Sequence, residues 1–202
     1  MSNAQDFIER AEGLGEADLW EASPIRLTWE PERGWPDAVV MLRAMFKPGE
    51  LVACGGAGRW VVHTREEWAG KFKRGVPLPA LVVANPLRTA LPRGTVPEAW
   101  GRDALAEVRN AVVVLEGMPQ ERQIRFWLGF GTQHLRAIVE SGGGPLHAVL
   151  RTDAGAVRER LPMLSALSPE VGNPLFAVRL AGAVRSDTGR RQRLLFAAEG
   201  MR

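Results

Sequence analysis

The feature that most constrains the fold is a switch of hydrophobic period that recurs through the second half of the chain. "RNAVVVLEG", "HLRAIVES", "PLHAVLR" and "RRQRLLFAA" are short aliphatic runs bounded by glycine, proline or charge, a pattern that predicts four strands. "QERQIRFWLGFG", between the first and second, has helical spacing and follows Pro119, which falls in the first turn, where proline is best tolerated. "DAGAVRERLPMLSAL", between the third and fourth, predicts a helix that Pro162 kinks or ends early. The order β-α-β-β-α-β predicts an α+β fold class with an RRM-like, split β-α-β sheet.

The first half reads as a smaller unit. "QDFIERAEGLGEADLWEA" has helical spacing interrupted by two glycines, which predicts a short or broken helix. "PDAVVMLRAMF" predicts a helix stopped by Lys47-Pro48-Gly49, and "ELVACGG" a strand. Thr64 and Glu67 form a capping box opening a helix through "REEWAGKFKRG", and "PALVVANPL" is apolar enough for a buried strand. Residues 1–90 are therefore expected to form an acidic helical segment and small α/β lobe, and residues 91–202 the RRM-like domain, packed as one unit.

Composition excludes several classes. No run of about 18 apolar residues is present and the N-terminus lacks the charged-then-apolar order of a secretory signal, so a cytoplasmic location without membrane contact is expected. The lone Cys54 excludes an internal disulfide framework, and His63, His134 and His147 lack zinc-ligand spacing. The formal charge of +3 is unevenly spread. The first 40 residues carry nine acids and three bases, whereas "RLAGAVRSDTGRRQR" holds five arginines against one aspartate. Arginine presents a planar fork of donors, so such a cluster suits a polyanion, or else a solvated strand edge.

Alternation places Val112, Val114 and Glu116 on one face of their strand, and His147, Val149 and Arg151 on one face of theirs. The opposite faces are wholly apolar, so the face with Glu116 and His147 is expected to be open. "SGGGPLH" then puts a flexible turn, whose N–H groups can approach an anion, beside a histidine able to donate a ring N–H. A hairpin connection is the alternative reading of the glycines.

The succession "NPL", a strand ending in an acid before "MPQERQ", "SGGGPLH" and "RLAGAVRSDTGRRQRLL" resembles archaeo-eukaryotic-type primase-polymerases, particularly the compact primases of plasmids and phages, over roughly residues 80–198. The resemblance implies two acids two residues apart, a third acid further on, and a phosphate-contacting histidine. Here Val114 stands at the first acid, Glu116 at the second and Asn173 at the third, while Gly144 and Pro145 replace a lysine and serine. Ser141, Gly142, Gly143, His147, Arg179 and Arg185 match, and imply a site for nucleotide phosphates.

Two-metal nucleotidyl transfer needs several carboxylate oxygens. Glu116 alone would hold at most one weak Mg2+ or Mn2+, so Glu116, His147 and Asn173 are read as a degenerate catalytic set. The expectation is a catalytically degenerate primase-polymerase-like domain that binds nucleoside triphosphate or single-stranded DNA in replication of a plasmid, phage or other mobile element, with a replication helicase or another replication protein as partner. An active primase with unusual metal ligation and a protein-interaction module using the acidic first 40 residues are the alternatives.

Overall fold

In a computed structural model, which describes residues 3–27, 33–90, 96–152 and 155–201, the chain is an α+β protein with two four-stranded antiparallel sheets. Along it come helices α1 (Ala4–Arg10), α2 (Glu16–Glu21) and α3 (Trp35–Met45), strands β1 (Leu51–Gly56) and β2 (Arg59–Thr64), helix α4 (Arg65–Lys73) and strand β3 (Leu81–Val83). There follow strand β4 (Asn110–Val114), helix α5 (Gln120–Phe130), strands β5 (Leu135–Glu140) and β6 (Leu146–Arg151), helices α6 (Gly155–Arg158) and α7 (Leu161–Leu167), and strands β7 (Ala177–Arg179) and β8 (Arg193–Ala197). No helix among the described residues is long and apolar enough to cross a membrane.

Local chemistry accounts for most of these boundaries. The glycine-rich stretch after α1 breaks the first helical pattern in two, with Gly13 at φ 82°. The capping box forms: Thr64 Oγ1 accepts from the Glu67 N–H at 3.2 Å, and the Glu67 carboxylate accepts from the Thr64 N–H at 2.8 Å. Pro162 occupies the second position of α7, so it separates two short helices instead of kinking one. The start of that predicted helix, Asp153 and Ala154, lies outside the described residues. Strand β2 is an addition to the sequence reading. Its hairpin loop is Ala57-Gly58, both at positive φ, the geometry that two-residue hairpins favour.

The second sheet has the order β4-β6-β5-β8. Strand β6 lies between β4 and β5 and is antiparallel to both, so the β4-α5-β5 crossover is split as predicted. Strand β8 pairs with β5, whereas a ferredoxin-like sheet places its last strand beside the first. The first sheet, β2-β1-β3-β7, draws its last strand from the C-terminal half. In the opposite direction, α1 and α2 pack on α5 and β8 through Phe7, Ile8 and Leu19. The expected division at residue 90, whose C-terminal side begins in residues outside the described set, is thus crossed by both ends of the chain.

Alternation holds along the second sheet, but neither face is open. Val113, Leu115, Ile138, Leu146, Ala148 and Leu150 pack with α1, α5 and α7. Val112, Val114, Ala137, Val139 and Val149 pack with Met41, Leu42 and Met45 of α3 and with Val52 and Val82 of the first sheet. The expectation of an exposed face therefore fails, because α3, apolar nearly all round, needs cover on both sides. Gly129 shows how tightly the outer layer fits: a Cβ there would lie 1.9 Å from the Phe7 carbonyl oxygen. Part of the acidic charge of the N-terminal segment is used internally. Asp6 and Asp18 accept helix-capping N–H groups, and Glu16 pairs with Arg193.

The sheets are joined by Asn85, which is fully buried. Its Oδ1 accepts from the N–H groups of Arg109 (3.0 Å) and Asn110 (2.9 Å), and its Nδ2 donates to the carbonyls of Asn110 (3.0 Å) and Pro174 (2.9 Å). Replacing it leaves buried backbone groups unpaired, each costing about 1 kcal/mol or more. Asn85→Ala should destabilise the protein by about 3–4 kcal/mol in urea denaturation. Asn85→Asp should do no better, since its second oxygen would face two carbonyl oxygens.

Candidate phosphate-binding cleft

The two sheets meet at a cleft of about 560 Å³ lined by Leu81 and Arg179 of the first sheet, His147 of the second, and Pro97, Trp100, Asn173, Leu175, Phe176 and Ala177. Three residues singled out from the sequence, His147, Asn173 and Arg179, converge here. His147 sits mid-sheet, opposite Val114 on β4 and Val139 on β5, and is 8% exposed. Its Nδ1 is buried without a hydrogen-bond partner. Arg179, at the end of β7, is half-buried, and among the described residues its guanidinium makes no hydrogen bond or ion pair.

The glycine turn lies behind His147. Gly142 and Gly143 adopt φ of 76° and 96°, which side-chain-bearing residues resist. The hairpin of residues 184–191 docks on this turn: Arg185 Nη1 donates to the Ser141 carbonyl at 3.3 Å, and Thr188 Oγ1 to the Gly142 carbonyl at 3.4 Å. Ser141 is 1% exposed and its Oγ has no partner. A Cβ at Gly144 would lie 2.7 Å from that Oγ and 3.4 Å from Arg185 Nη1, so Arg185 fills the space where the resemblance expects a lysine.

The cleft offers donors and positive charge. Burial, reinforced by Arg179 and Arg185, pushes the His147 imidazole down to about 3, so it is neutral at physiological pH. Burial and then Arg185 also lower Arg179. Asn173 is exposed, and its Oδ1 accepts from the Leu175 N–H at 3.0 Å, which leaves its NH2 group as what it can present to a ligand. This donor set suits an anion. It does not fit a hard divalent cation, which requires several carboxylate oxygens. Among the described residues, no three His, Cys, Asp or Glu side chains are grouped to hold a metal.

Glu116 stands apart from this group. Strand β4 ends at Val114, and Glu116 is exposed in the turn that follows, outside the cleft lining. Val114 is 4% exposed within the core, so an acid at that position would be buried among apolar side chains. The five-arginine cluster is also less available than its charge suggests. Arg193 bridges Glu16 and Glu140, Arg191 donates to the Gly182 carbonyl, and Arg185 pairs with Asp187. Sequence reasoning missed the apolar wall of Trp100, Leu175 and Phe176, and it missed Asp187. The "SDTG" between arginines is a recognisable turn signal that would have located the latter.

Comparison with family models, curated proteins and solved structures gives no match to this chain.

The buried histidine has a measurable consequence. Its folded pKa lies below the unfolded value of 6.5, so the unfolded chain takes up a proton that the folded one refuses. This contribution is constant above pH 6.5 and is lost as pH falls from 6.5 toward 3. Between pH 7.5 and 5 the loss should be about 2 kcal/mol. Urea denaturation at the two pH values should show this loss in the wild type, and His147→Gln should reduce it by most of that amount.

Proposed function

We propose that this chain is a primase-polymerase-like domain that keeps a phosphate-binding site and lacks the carboxylates for two-metal nucleotidyl transfer, and that it binds nucleotide or single-stranded nucleic acid in replication of a plasmid, phage or other mobile element. The observation that carries the reading is the meeting, at one cleft, of an unpaired half-buried guanidinium, Arg179, with the partnerless Nδ1 of His147. A buried polar atom without a partner is costly, and a cation in a partly apolar cleft is more so. A phosphate oxygen in the cleft would accept from Arg179, beside the His147 ring in the lining. The split crossover in the second sheet and the order of the motifs support the kinship. The exposed position of Glu116 and the donor character left to Asn173 support the loss of metal chemistry.

The test is binding of dATP measured by calorimetry. His147→Gln and Arg179→Gln should each weaken it about tenfold, the scale of one hydrogen bond to a charged group. The wild type should make no primer on a single-stranded template with Mg2+ or Mn2+. Primer synthesis would overturn the degenerate assignment, and absence of binding to dATP and to single-stranded DNA would overturn the reading as a whole.

A further inference from the structure

The hairpin of residues 184–191 carries an acid to which phosphate binding alone gives no role. Val184 bridges Arg191, the Arg185 N–H donates to the Arg190 carbonyl at 2.9 Å, and the Gly189 N–H returns to the Arg185 carbonyl at 2.9 Å. This closed loop sets Asp187 against the Arg185 guanidinium: Nε donates to Oδ1 at 2.8 Å and Nη2 donates to Oδ2. The remaining arm reaches the Ser141 carbonyl. The Arg185 side chain is 18% exposed and that of Asp187 60%, so the carboxylate stands on the solvent side of the fork. The pairing holds the Asp187 carboxyl well below the usual range and raises Arg185.

We propose that Asp187 is a resident competitor for Arg185 that makes the cleft selective for terminal phosphate groups over phosphodiesters. The proposal rests on the phosphate-binding reading above. A phosphodiester brings one negative charge and two free oxygens, as the carboxylate does. Exchanging one for the other at Arg185 gains nothing and orders a strand as well. A terminal phosphate carries a charge of about −1.5 to −2 at pH 7 and three acceptor oxygens. It can replace Asp187 on the fork while its remaining charge lies in the field that Arg185 shares with Arg179 and His147 of the cleft lining. A pair within one turn whose carboxylate stands largely in solvent contributes little stability, so its exchange is cheap for such a ligand.

The experiment is fluorescence anisotropy with a 3′-labelled oligothymidylate bearing either a 5′-phosphate or a 5′-hydroxyl, with dATP as competitor. The wild type should prefer the phosphorylated probe about tenfold or more. Asp187→Asn should bind the hydroxyl probe more tightly and narrow the preference to about threefold or less, and dATP should displace the phosphorylated probe from both proteins. Asp187→Ser should narrow it equally, which separates loss of charge from a disturbed turn. Equal binding of the two probes by the wild type overturns the proposal, as does an undiminished preference in both variants. The phosphate-binding reading survives either outcome when Arg179→Gln still weakens dATP binding. If the wild type binds neither probe nor dATP, the reading and the proposal fall together.

Discussion

The carboxamide of Asn85 is the contact on which the arrangement of this molecule depends. It closes four hydrogen bonds in a place without solvent, and its partners belong to the start of β4 and to the segment leading into β7. A carboxamide is suited to this position because it presents two acceptor lone pairs on one side and two donors on the other. Nearby, Asn110 donates to the Ala84 carbonyl at 2.7 Å, and the guanidinium of Arg109 pairs with Glu50 and Glu107. The two sheets are consequently joined by a polar network, in which Arg109 Nε and Asn110 Oδ1 stay without a partner among the described residues, while apolar packing through α3 supplies the bulk of the attraction. Through the Pro174 carbonyl the same network holds the segment whose Asn173 and Leu175 line the cleft.

Within the cleft, electrostatics rather than shape sets the chemistry. An imidazole placed between sheets and near two guanidinium groups cannot hold a second proton at neutral pH. Neutral, it keeps one N–H to give and one nitrogen to receive. Arg179 sits half-buried with no hydrogen bond or ion pair among the described residues, and Asp187 acts on it only at longer range. An arriving anion would meet a field prepared for it, and its own charge would relax the strain on both groups.

Much of the architecture was legible in the sequence where a local rule decides. The capping box at Thr64, the four strands of the second sheet and the split crossover follow from residue spacing alone. What was not legible depends on partners distant in the chain. Strand β7 is three residues long, too short to show a period, and β2 follows an Ala-Gly loop instead of the Asn-Gly signal. The second face of the sheet looked free because alternation reports which residues share a side, not what covers them. In the site, His147 and Arg179 were recognisable as types, whereas the seclusion of the one and the lack of partner of the other depend on α3 and β7. The segregation of Glu116 from His147 has a simple cause: β4 stops two residues before it.

Strand β7 brings Arg179 into the first sheet after the chain has already built β4, β5 and β6, so the cleft has one wall from each sheet and a covalent path that visits both. Such a chain cannot be cut into two inheritable modules. A fragment ending before β7 would leave β3 with an unpaired edge, and a fragment beginning at β4 would carry β7 with no sheet to join. For evolution this means that the cleft could be retuned by single side chains but not by exchanging halves.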